Sequence, residues 1–505
     1  MIGQKLIHAL RLDADDPLDP AAHVPDANTL ASAAEMVPLV VDLDGTLIQS
    51  DLLFESALGA VRRKPLNLLR LPYWLGQGVA AMKHHLAEKS RLDISTLPYR
   101  GELLDYLRQE KSRGRHIVLA TAADQLLANA VSRELGVFDT IFASDGGDNL
   151  SGERKRDVLV AAFGARGFDY IGNSRRDLPI WAVARHALVA GSDEVLCARI
   201  KSSTPVDRIF RPAGGEWREY LRELRPHQWL KNSLVFLPLA ASHRLFDPVL
   251  LFHAFLAFLA FTLCASSVYL LNDLLDLPAD RHHPHKRFRP LASGSVGIRG
   301  ACGLLAALLL AAALVGAALQ AEFLMVLGFY FATTLAYSFG LKDYAVLDVL
   351  ILAGGYAARV AAGSAAAGIS LSSWLLAFCI FLFFSLALLK RFAELVAQRE
   401  VSGSKAHARG YVLNDAGVIA AQGIASGYLS VLVLALYTNT TMVQSLHGRY
   451  WLFWVNCLLL LYWISYMWLM ADRGHVEDDP VVFALKNPVS RALLTVMALV
   501  GLAAT

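Results

Sequence analysis

Three aspartates near the middle of the chain have a spacing that suits metal chemistry. Asp273, Asp276 and Asp280 are three and four positions apart, so on a helix their carboxylates share one face. Carboxylates this close repel each other strongly near a membrane unless a cation neutralises them. Mg²⁺ on a diphosphate does so, because it takes a few carboxylates together with substrate oxygens rather than a full protein cage. The spacing therefore predicts a magnesium and diphosphate site.

Basic residues follow these aspartates and could hold the phosphate charge that the metal leaves uncompensated. They are Arg281, Lys286, Arg287 and Arg289. A loop that only sets membrane topology is the alternative, but topology needs basic residues and no spaced carboxylates. The histidines of the same stretch are expected to be solvated loop residues, since no thiolate or second histidine pair accompanies them.

The aspartates lie at the end of a long apolar segment, and similar segments dominate the chain after residue 230. Several reach the length of about 20 residues that crosses a bilayer. The candidate spans are 233–248, 249–271, 298–318, 321–340, 346–367, 371–389, 412–437, 449–471 and 487–505. Residues 225–505 are therefore predicted to form an all-α membrane domain of about nine transmembrane helices.

Basic residues between the spans predict the orientation of the membrane domain. The 272–300 and 390–411 loops are rich in arginine and lysine, whereas the 319–322 and 368–370 connections have none. Both basic loops are expected on the cytoplasmic side. The amino terminus lacks the sustained apolar core of a signal peptide, so the N-terminal domain is expected there too. The predicted location is the inner (plasma) membrane.

The part of the chain before residue 200 has a different pattern. Apolar runs at 37–47, 116–124, 168–177 and 188–191 read as buried parallel strands, and helical segments alternate with them. This predicts an α/β, Rossmann-like domain over 36–200, with active-site loops at the carboxyl ends of its strands. The insert at about 52–110 is predicted to be a small helical cap, with 1–35 an N-terminal segment and 201–224 a linker.

Composition and charge limit the function classes. The chain has 505 residues, of which 55% are hydrophobic, and its formal net charge is +3. Such a small, dispersed charge argues against a nucleic-acid partner. The five cysteines lie far apart without a CxxC pair, so neither a disulfide framework nor a zinc site is expected.

The aspartate motif resembles that of the UbiA prenyltransferase superfamily. Asn272 to Asp280 reads NDxxDxxxD, an Arg-Pro pair follows at 289–290, and the resemblance covers about residues 222–505. A second motif, YSFGLKDYAVLD, carries Lys342 where quinone and haem prenyltransferases usually show more aspartates. The chain further resembles the decaprenyl-phosphate phosphoribosyltransferase branch in four segments: RPHQWLKN at 225–232, GGYAARVAAG at 354–363, KRFAE at 390–394 and DDPVVFAL at 478–485.

This resemblance implies transfer of 5-phosphoribose from phosphoribosyl pyrophosphate to a polyprenyl phosphate, with release of pyrophosphate. The three aspartates would carry Mg²⁺ on the pyrophosphate. The expected partners are thus a polyprenyl lipid, a pyrophosphate-activated donor and membrane lipids, and no nucleic acid. The residues expected to act on the donor phosphates are Lys342, Arg289 and Arg359, and the wider substrate-binding set adds Asn272, Tyr337 and Asp348.

Lys390 and Arg391 are expected to position the acceptor phosphate. That phosphate is already anionic, so no base is needed. A purely topological role for these two residues remains the alternative. For Arg359, in the middle of a predicted span, the alternative is snorkelling or a bond between helices.

The segment VVDLDGTL resembles the DxDGT signature of the haloacid dehalogenase (HAD) phosphohydrolases, over roughly residues 36–200. The resemblance implies that Asp42 attacks phosphorus and that Asp44 acts as acid and base. Thr121 matches the phosphate-binding threonine and Lys155 the family lysine. The expected Mg²⁺ ligands are Asp42, Asp44, Asn173 and Asp177, with Asn173 standing where the family's GDxxxD motif has an aspartate. A degenerate domain kept for packing or regulation is the alternative.

Three functions are consistent with these observations. The leading hypothesis is a phosphoribosyl-lipid synthase with a fused phosphatase that removes the 5-phosphate of the product. The second is a UbiA-type enzyme that transfers a prenyl group from a polyprenyl diphosphate to an aromatic or other small acceptor. The third is a non-catalytic membrane protein or transporter, which the spaced carboxylates disfavour.

Overall fold

A computed structural model describes residues 37–64, 66–211, 216–242, 244–402, 407–408, 410–446, 449–476 and 479–504. The N-terminal segment predicted at 1–35 lies outside these residues. The chain forms two compact units, Met1–Ala213 and Gly214–Thr505.

The first unit is built on a parallel sheet of six strands in the order β3-β2-β1-β4-β5-β6. The strands are β1 Leu39–Val41, β2 Ile117–Asp124, β3 Thr140–Ser144, β4 Asp169–Gly172, β5 Ala187–Ala190 and β6 Val206–Phe210. The helices are α1 Leu52–Arg63, α2 Asn67–Gly76, α3 Val79–Ser90, α4 Gly101–Ser112, α5 Gln125–Leu135, α6 Glu153–Phe163, α7 Leu178–Trp181 and α8 Glu194–Lys201. Because β1 pairs with β2 on one side and β4 on the other, the strand order reverses beside β1, where α/β sheets bind ligands.

The four predicted strands are confirmed as β1, β2, β4 and β5. They are apolar and almost wholly buried, because helices cover both faces of the sheet. The sequence did not indicate β3 or β6. Strand β6 lies inside the stretch predicted as a linker, and its exposed Asp207 and Arg208 conceal the apolar pattern, as charged residues do on edge strands.

The predicted helical cap is shorter than 52–110. Helices α1, α2 and α3 surround a small cluster of Ala60, Trp74 and Leu86. Helix α4, in contrast, buries Leu103 and Leu107 in the core of the sheet. The cap therefore ends at about Ser90, and α4 belongs to the layer that covers the sheet.

The second unit is helical. Its helices are α9 Glu216–Glu223, α10 Leu237–Ala241, α11 Pro248–His282, α12 Ile298–Ala317, α13 Ala321–Phe339, α14 Leu347–Ala367, α15 Ser373–Ser402, α16 Ala416–Thr438, α17 Thr441–Leu446, α18 Leu452–Asp472, α19 Pro480–Lys486 and α20 Pro488–Ala504. Within the described residues, seven helices are long and apolar enough to cross a membrane. The count is eight if α19 and α20, which meet at 86°, form one broken span.

The first predicted span, 233–248, is not a regular transmembrane helix. The chain there forms a 3₁₀-helix, Pro226–Phe236, followed by the five-residue α10. The 3₁₀-helix runs antiparallel to α11, because Arg225, Trp229 and Asn232 bond in turn to Asp273, Ser266 and Thr262. The 3₁₀-helix also packs closely against α14 at Gly363. A Cβ on Gly363 would lie 1.9 Å from the Val235 carbonyl oxygen, so only glycine allows this approach.

Two helices extend beyond the apolar runs that predicted them. Helix α11 has 35 residues and continues to His282, so the three aspartates do lie on a helix, as their spacing predicted. Helix α15 runs to Ser402, so Lys390 and Arg391 lie on a helix and not in the loop that was predicted to start at residue 390. Lys405 and Arg409 of that predicted loop are outside the described residues.

Candidate active sites

Asp273 is the centre of a charged cluster at the end of α11. Both of its oxygens accept hydrogen bonds from Arg225, at 2.5 and 2.6 Å. Arg289 donates to Asp273 at 3.0 Å and to Asp280 at 2.5 Å, so one guanidinium bridges two of the predicted metal ligands. Asp273 and Asp280 are both buried, as their position on one face of α11 requires.

Asp276 forms a hydrogen bond with a residue of the second motif, YSFGLKDYAVLD. Lys342 lies on a short 3₁₀-helix, Leu341–Asp343, between α13 and α14, and its amino group donates to Asp276 at 2.9 Å. This pair is more open than the Asp273 cluster, because 41% of the Asp276 side chain and 21% of the Lys342 side chain are exposed. The structure thus joins the two motifs at one accessible point.

Glu223 is a further carboxyl group of this cluster, and it lies in the stretch that sequence reasoning assigned to a linker. It ends α9 and is buried, and its Oε1 atom has no hydrogen-bond partner. Burial, together with the nearby charge of Asp273, raises the pKa of Glu223 to about 8. The group is therefore largely protonated at neutral pH and adds little negative charge.

The chemistry of the three aspartates fits Mg²⁺, with the substrate supplying part of the shell. Carboxylate oxygens are the ligands that this hard cation prefers. Within the described residues, however, no group of three His, Cys, Asp or Glu side chains is arranged to hold a metal ion alone. The negative charge of the three aspartates is balanced by three basic side chains, Arg225, Arg289 and Lys342. A metal at Asp273, Asp276 and Asp280 would thus depend on phosphate oxygens.

The other predicted residues of this region lie around the cluster. Arg281 donates to the Ala292 carbonyl at 3.3 Å, whereas Lys286 and Arg287 are exposed to solvent. Asn272 is half-buried on α11, next to Asp273. Arg289 thus contacts two of the three carboxylates directly.

Tyr337, Asp348 and Arg391 come together in a second cluster, in which Asp348 and Arg391 are fully buried and Tyr337 is half-buried. Arg391 bonds to Asp348 at 2.5 Å, to Glu394 at 2.5 Å and to the Tyr337 hydroxyl at 3.1 Å, and its side chain has no exposed area. The Tyr411 hydroxyl donates to Asp348 at 2.7 Å. All three guanidinium nitrogens of Arg391 are occupied, so the geometry favours a bond that ties α14 to α15 over phosphate binding.

Arg359 is also engaged within the core. It donates to Asn232 at 2.8 Å, to the Gly355 carbonyl at 2.7 Å and to the Tyr330 hydroxyl at 3.1 Å. Its guanidinium lies 4.9 Å from the centre of the Tyr330 ring and 5.7 Å from that of Tyr356. These contacts match the helix-to-helix alternative and leave its expected role at the donor phosphates without structural support.

Lys231 and Asp479 form an ion pair that links two of the family segments across the chain. The Lys231 amino group also lies 5.9 Å from the centre of the Tyr356 ring. Burial raises the pKa of Asp479, but the charges of Lys231 and Lys390 outweigh it and hold that pKa below its usual value. Lys231 is thus paired directly with Asp479, and the charge of Lys390 acts on it as well. Asp478, the first residue of DDPVVFAL, lies outside the described residues.

The first unit has its own carboxylate site at the carboxyl ends of β1 and β4. The Lys155 amino group donates to Asp42 at 2.7 Å and lies 3.3 Å from the Tyr170 hydroxyl. That hydroxyl donates to Asp177 at 2.9 Å. The other oxygen of Asp177 accepts bonds from the Ser174 amide and hydroxyl, both at 3.0 Å. Asp177 therefore holds the loop after β4, rather than pointing freely at a metal.

Among the residues that the structure describes, no basic side chain forms an ion pair with Asp44, although the charge of Lys83 acts on it. Its carboxylate accepts a bond from the Leu52 amide at 2.8 Å. Burial is the main cause that raises its pKa to about 7, and the charges of Asp51 and Asp42 raise it further. Burial likewise raises the pKa of Asp42, although Lys155 opposes it. These two carboxylates carry buried negative charge that a divalent cation would stabilise, so the site fits Mg²⁺ at Asp42 and Asp44.

Asn173 lies where the resemblance placed it. A Cβ on Gly45 would lie 2.1 Å from the Asn173 side-chain nitrogen, and Gly45 has a φ of +72°, so only glycine fits beside this amide. Thr121 is fully buried at β2 and accepts a bond from the Ala123 amide at 3.0 Å. The residues that the HAD resemblance selected thus lie on the side of the sheet where its strands end: Asp42, Asp44, Thr121, Lys155 and Asn173.

The cap reaches the same edge. Lys83 of α3 donates to the Ala122 carbonyl at 2.6 Å and to Asn149 at 2.9 Å. His84 bonds to Asp124 at 3.0 Å. Sequence reasoning did not select Lys83, because it stands among other polar residues, His84 and His85, which conceal it.

Comparison with known proteins matches each of the two units to a family. Residues 39–182 match the haloacid dehalogenase-like hydrolases, and residues 233–488 match the UbiA prenyltransferase family. The uncharacterized protein y4nM of Sinorhizobium fredii is 38% identical over 466 residues, which are 90% of this chain and 88% of that relative.

Two further relatives are shorter matches. The nodulation protein NoeC of Azorhizobium caulinodans is 33% identical over 282 residues, 55% of this chain and 91% of that protein. The decaprenyl-phosphate phosphoribosyltransferase of Mycolicibacterium smegmatis is 44% identical over 179 residues, 35% of this chain and 56% of that enzyme. The chain is a multi-pass membrane protein that belongs to the UbiA prenyltransferase family and carries a HAD-like hydrolase domain before its transferase domain.

Proposed function

We propose that the membrane unit transfers 5-phosphoribose from phosphoribosyl pyrophosphate to a polyprenyl phosphate. The observation that carries this proposal is the pair of Asp276 and Lys342, 2.9 Å apart and partly exposed. A lysine here suits a donor with a separate 5-phosphate, because a second group of carboxylates would repel that phosphate.

The residues of the cluster suit the hard step of this reaction. The bond from ribose C1 to the pyrophosphate oxygen breaks with oxocarbenium character, and an oxygen of the lipid phosphate forms the new bond to C1. Charge develops on the leaving pyrophosphate, and preorganised cations stabilise it best. Arg225, Arg289 and Lys342 are such cations. Mg²⁺ held by Asp273, Asp276 and Asp280 would add its charge to theirs.

The acceptor phosphate is assigned to Lys231 and Lys390. The earlier expectation paired Lys390 with Arg391, but all three guanidinium nitrogens of Arg391 are occupied by protein groups. Lys231 pairs with Asp479, and the charges of Glu394 and Asp479 act on Lys390. A lipid phosphate would give Lys390 a direct anionic partner, and such a partner is stabilising at membrane depth.

The HAD-like domain is proposed to remove the 5-phosphate from the phosphoribosyl lipid. Asp42 attacks phosphorus, Asp44 gives a proton to the departing ribose oxygen, and water then releases phosphate from the aspartyl phosphate. Lys155, 2.7 Å from Asp42, orients the nucleophile. Hydrolysis of the product would draw a reversible transfer forward. Both reactions are proposed at the cytoplasmic face of the inner membrane, on the basis of the basic loops.

The decisive test uses the full chain purified into lipid nanodiscs with Mg²⁺. Radiolabelled phosphoribosyl pyrophosphate is offered with a polyprenyl phosphate, and in parallel a radiolabelled prenyl diphosphate is offered with aromatic acceptors. We expect label in the lipid fraction with the first pair, and release of its 5-phosphate in the wild type but not in Asp42→Asn. Transfer of a prenyl group and no use of phosphoribosyl pyrophosphate would establish the second hypothesis instead.

A further inference from the structure

Helix α2 of the cap is apolar on both of its faces. Its inner face packs Leu71 and Trp74 against the rest of the cap. The outer face and the residues flanking it expose large apolar side chains, with exposed fractions of Leu66 72%, Leu68 58%, Leu69 76%, Tyr73 69%, Leu75 53% and Val79 44%. Soluble surfaces rarely leave so many neighbouring apolar side chains in water, so this face is expected to have a partner.

The charge around this face has one sign. Residues 56–87 contain no aspartate or glutamate. The same stretch has four exposed basic residues close to the apolar ones, Arg62, Arg63, Lys64 and Arg70. Two copies of such a face would repel each other, whereas an anionic lipid surface would attract its basic side chains. Apolar residues flanked by Arg and Lys are also the pattern of helices that lie in a membrane interface.

We infer that the outer face of α2 docks on the surface of the lipid bilayer, with its leucines among the acyl chains and its arginines on anionic headgroups. The chain's own spanning helices anchor the protein in a bilayer, so such a surface is present wherever the protein is. Tyr73 suits such a position, because tyrosine places an apolar ring in lipid and a hydroxyl in water. This inference does not depend on which reaction the domain performs.

Docking would place the phosphatase where lipid substrates are. Helix α2 packs on α3 through Trp74 and Leu86, and Lys83 of α3 bonds to the end of β2 beside the active site. The membrane-facing helix and the mouth of the site thus belong to one small cap. A lipid-linked phosphate could then reach Asp42 while its prenyl chain stays in the bilayer.

The test measures where the helix lies by spin labelling. Cys197 and Cys302 are replaced by serine in the full chain, since the other three cysteines are buried. A label is then attached at Leu69→Cys, and at Val195→Cys as a control, because Val195 is 56% exposed on α8 and is not part of the cap. Nanodiscs with and without anionic lipid are compared by collision with oxygen and with a water-soluble nickel complex.

In anionic nanodiscs we expect oxygen to reach the label at 69 more readily than nickel does, and the reverse at 195. The change Leu69→Glu with Leu75→Glu, tested with a label at 66, should weaken docking by about a hundredfold, because two leucines lose their lipid contacts. Free access of nickel to position 69 would overturn the inference. Exclusion of both reagents would also overturn it, since it would mean that protein and not lipid covers the face.

Discussion

Replacement of Lys342 by methionine tests the donor assignment most directly. The change removes the charge but keeps most of the side-chain volume. A charged hydrogen bond to phosphate contributes about 1.5–3 kcal/mol, so the KM for phosphoribosyl pyrophosphate should rise about 10- to 100-fold. The KM for the polyprenyl phosphate should change much less, because only the donor's monophosphate loses its partner.

The fold should tolerate this change. The Lys342 pair with Asp276 is partly exposed on both sides, and such pairs contribute at most about 1 kcal/mol to stability. Initial rates with both substrates varied, on protein in nanodiscs, give the two KM values. Lys342→Arg keeps the charge and should lie closer to wild type, Lys342→Asp should be worse than methionine, and Lys486→Met, on an exposed lysine of α19, is the neutral control. An unchanged donor KM in Lys342→Met would refute the reasoning.

Further outcomes follow from the other clusters. Asp276→Ala should abolish transfer while the melting temperature changes little, and near-normal turnover would exclude the metal assignment. Asp42→Asn should eliminate phosphate release without affecting transfer, because nucleophile and carboxylate cluster lie in separate domains. Arg391→Met should destabilise the membrane unit by about 3–5 kcal/mol, measured by thermal unfolding, because it leaves Asp348 buried without a cation. Asn173→Asp should lower the Mg²⁺ concentration that half-activates phosphate release, and an unchanged Mg²⁺ titration would place Asn173 outside the metal shell.

Local patterns in the sequence were enough to find the central part of both sites. The spacing of three and four positions predicted that the aspartates lie on one face of a helix, and all three do lie on α11. An apolar run ending in DLDGT predicted a buried strand with carboxylates at its end, and Asp42 and Asp44 follow β1 as expected. Such features depend on neighbours within a few residues, which is the range over which a single sequence is informative.

The contacts made by RPHQWLKN were beyond that range. Arg225 bonds to Asp273, 48 positions away, and Lys231 pairs with Asp479, 248 positions away. The segment also adopts a long 3₁₀-helix, which has no strong sequence pattern. The signal that could have revealed it was the cost of ionisable and amide side chains at the start of an apolar run, since these need partners at membrane depth.

Buried arginines could not be sorted into ligands and structural bonds from the sequence. In the sequence, Arg359 and Arg391 look the same as an arginine that binds phosphate, because all are basic residues within apolar segments. The structure indicates structural bonds for both arginines, because each guanidinium is already bonded to protein groups through all three of its nitrogens. That count depends on tertiary packing, with partners as distant as Asn232.

The two carboxylate sites differ in how their charge is balanced, and this difference bears on how each takes up a metal. In the transferase domain, the three aspartates already have basic partners. A metal ion that bound them would displace those arginines and the lysine, so its binding is favourable only when a phosphate becomes their new partner. In the phosphatase domain, no basic side chain among the described residues is bonded to Asp44, and burial raises its pKa to about 7, so a cation that stabilises the ionised carboxylate is favoured even without substrate. Mg²⁺ should therefore bind the phosphatase domain without substrate, whereas its affinity for the transferase domain should rise with the diphosphate donor.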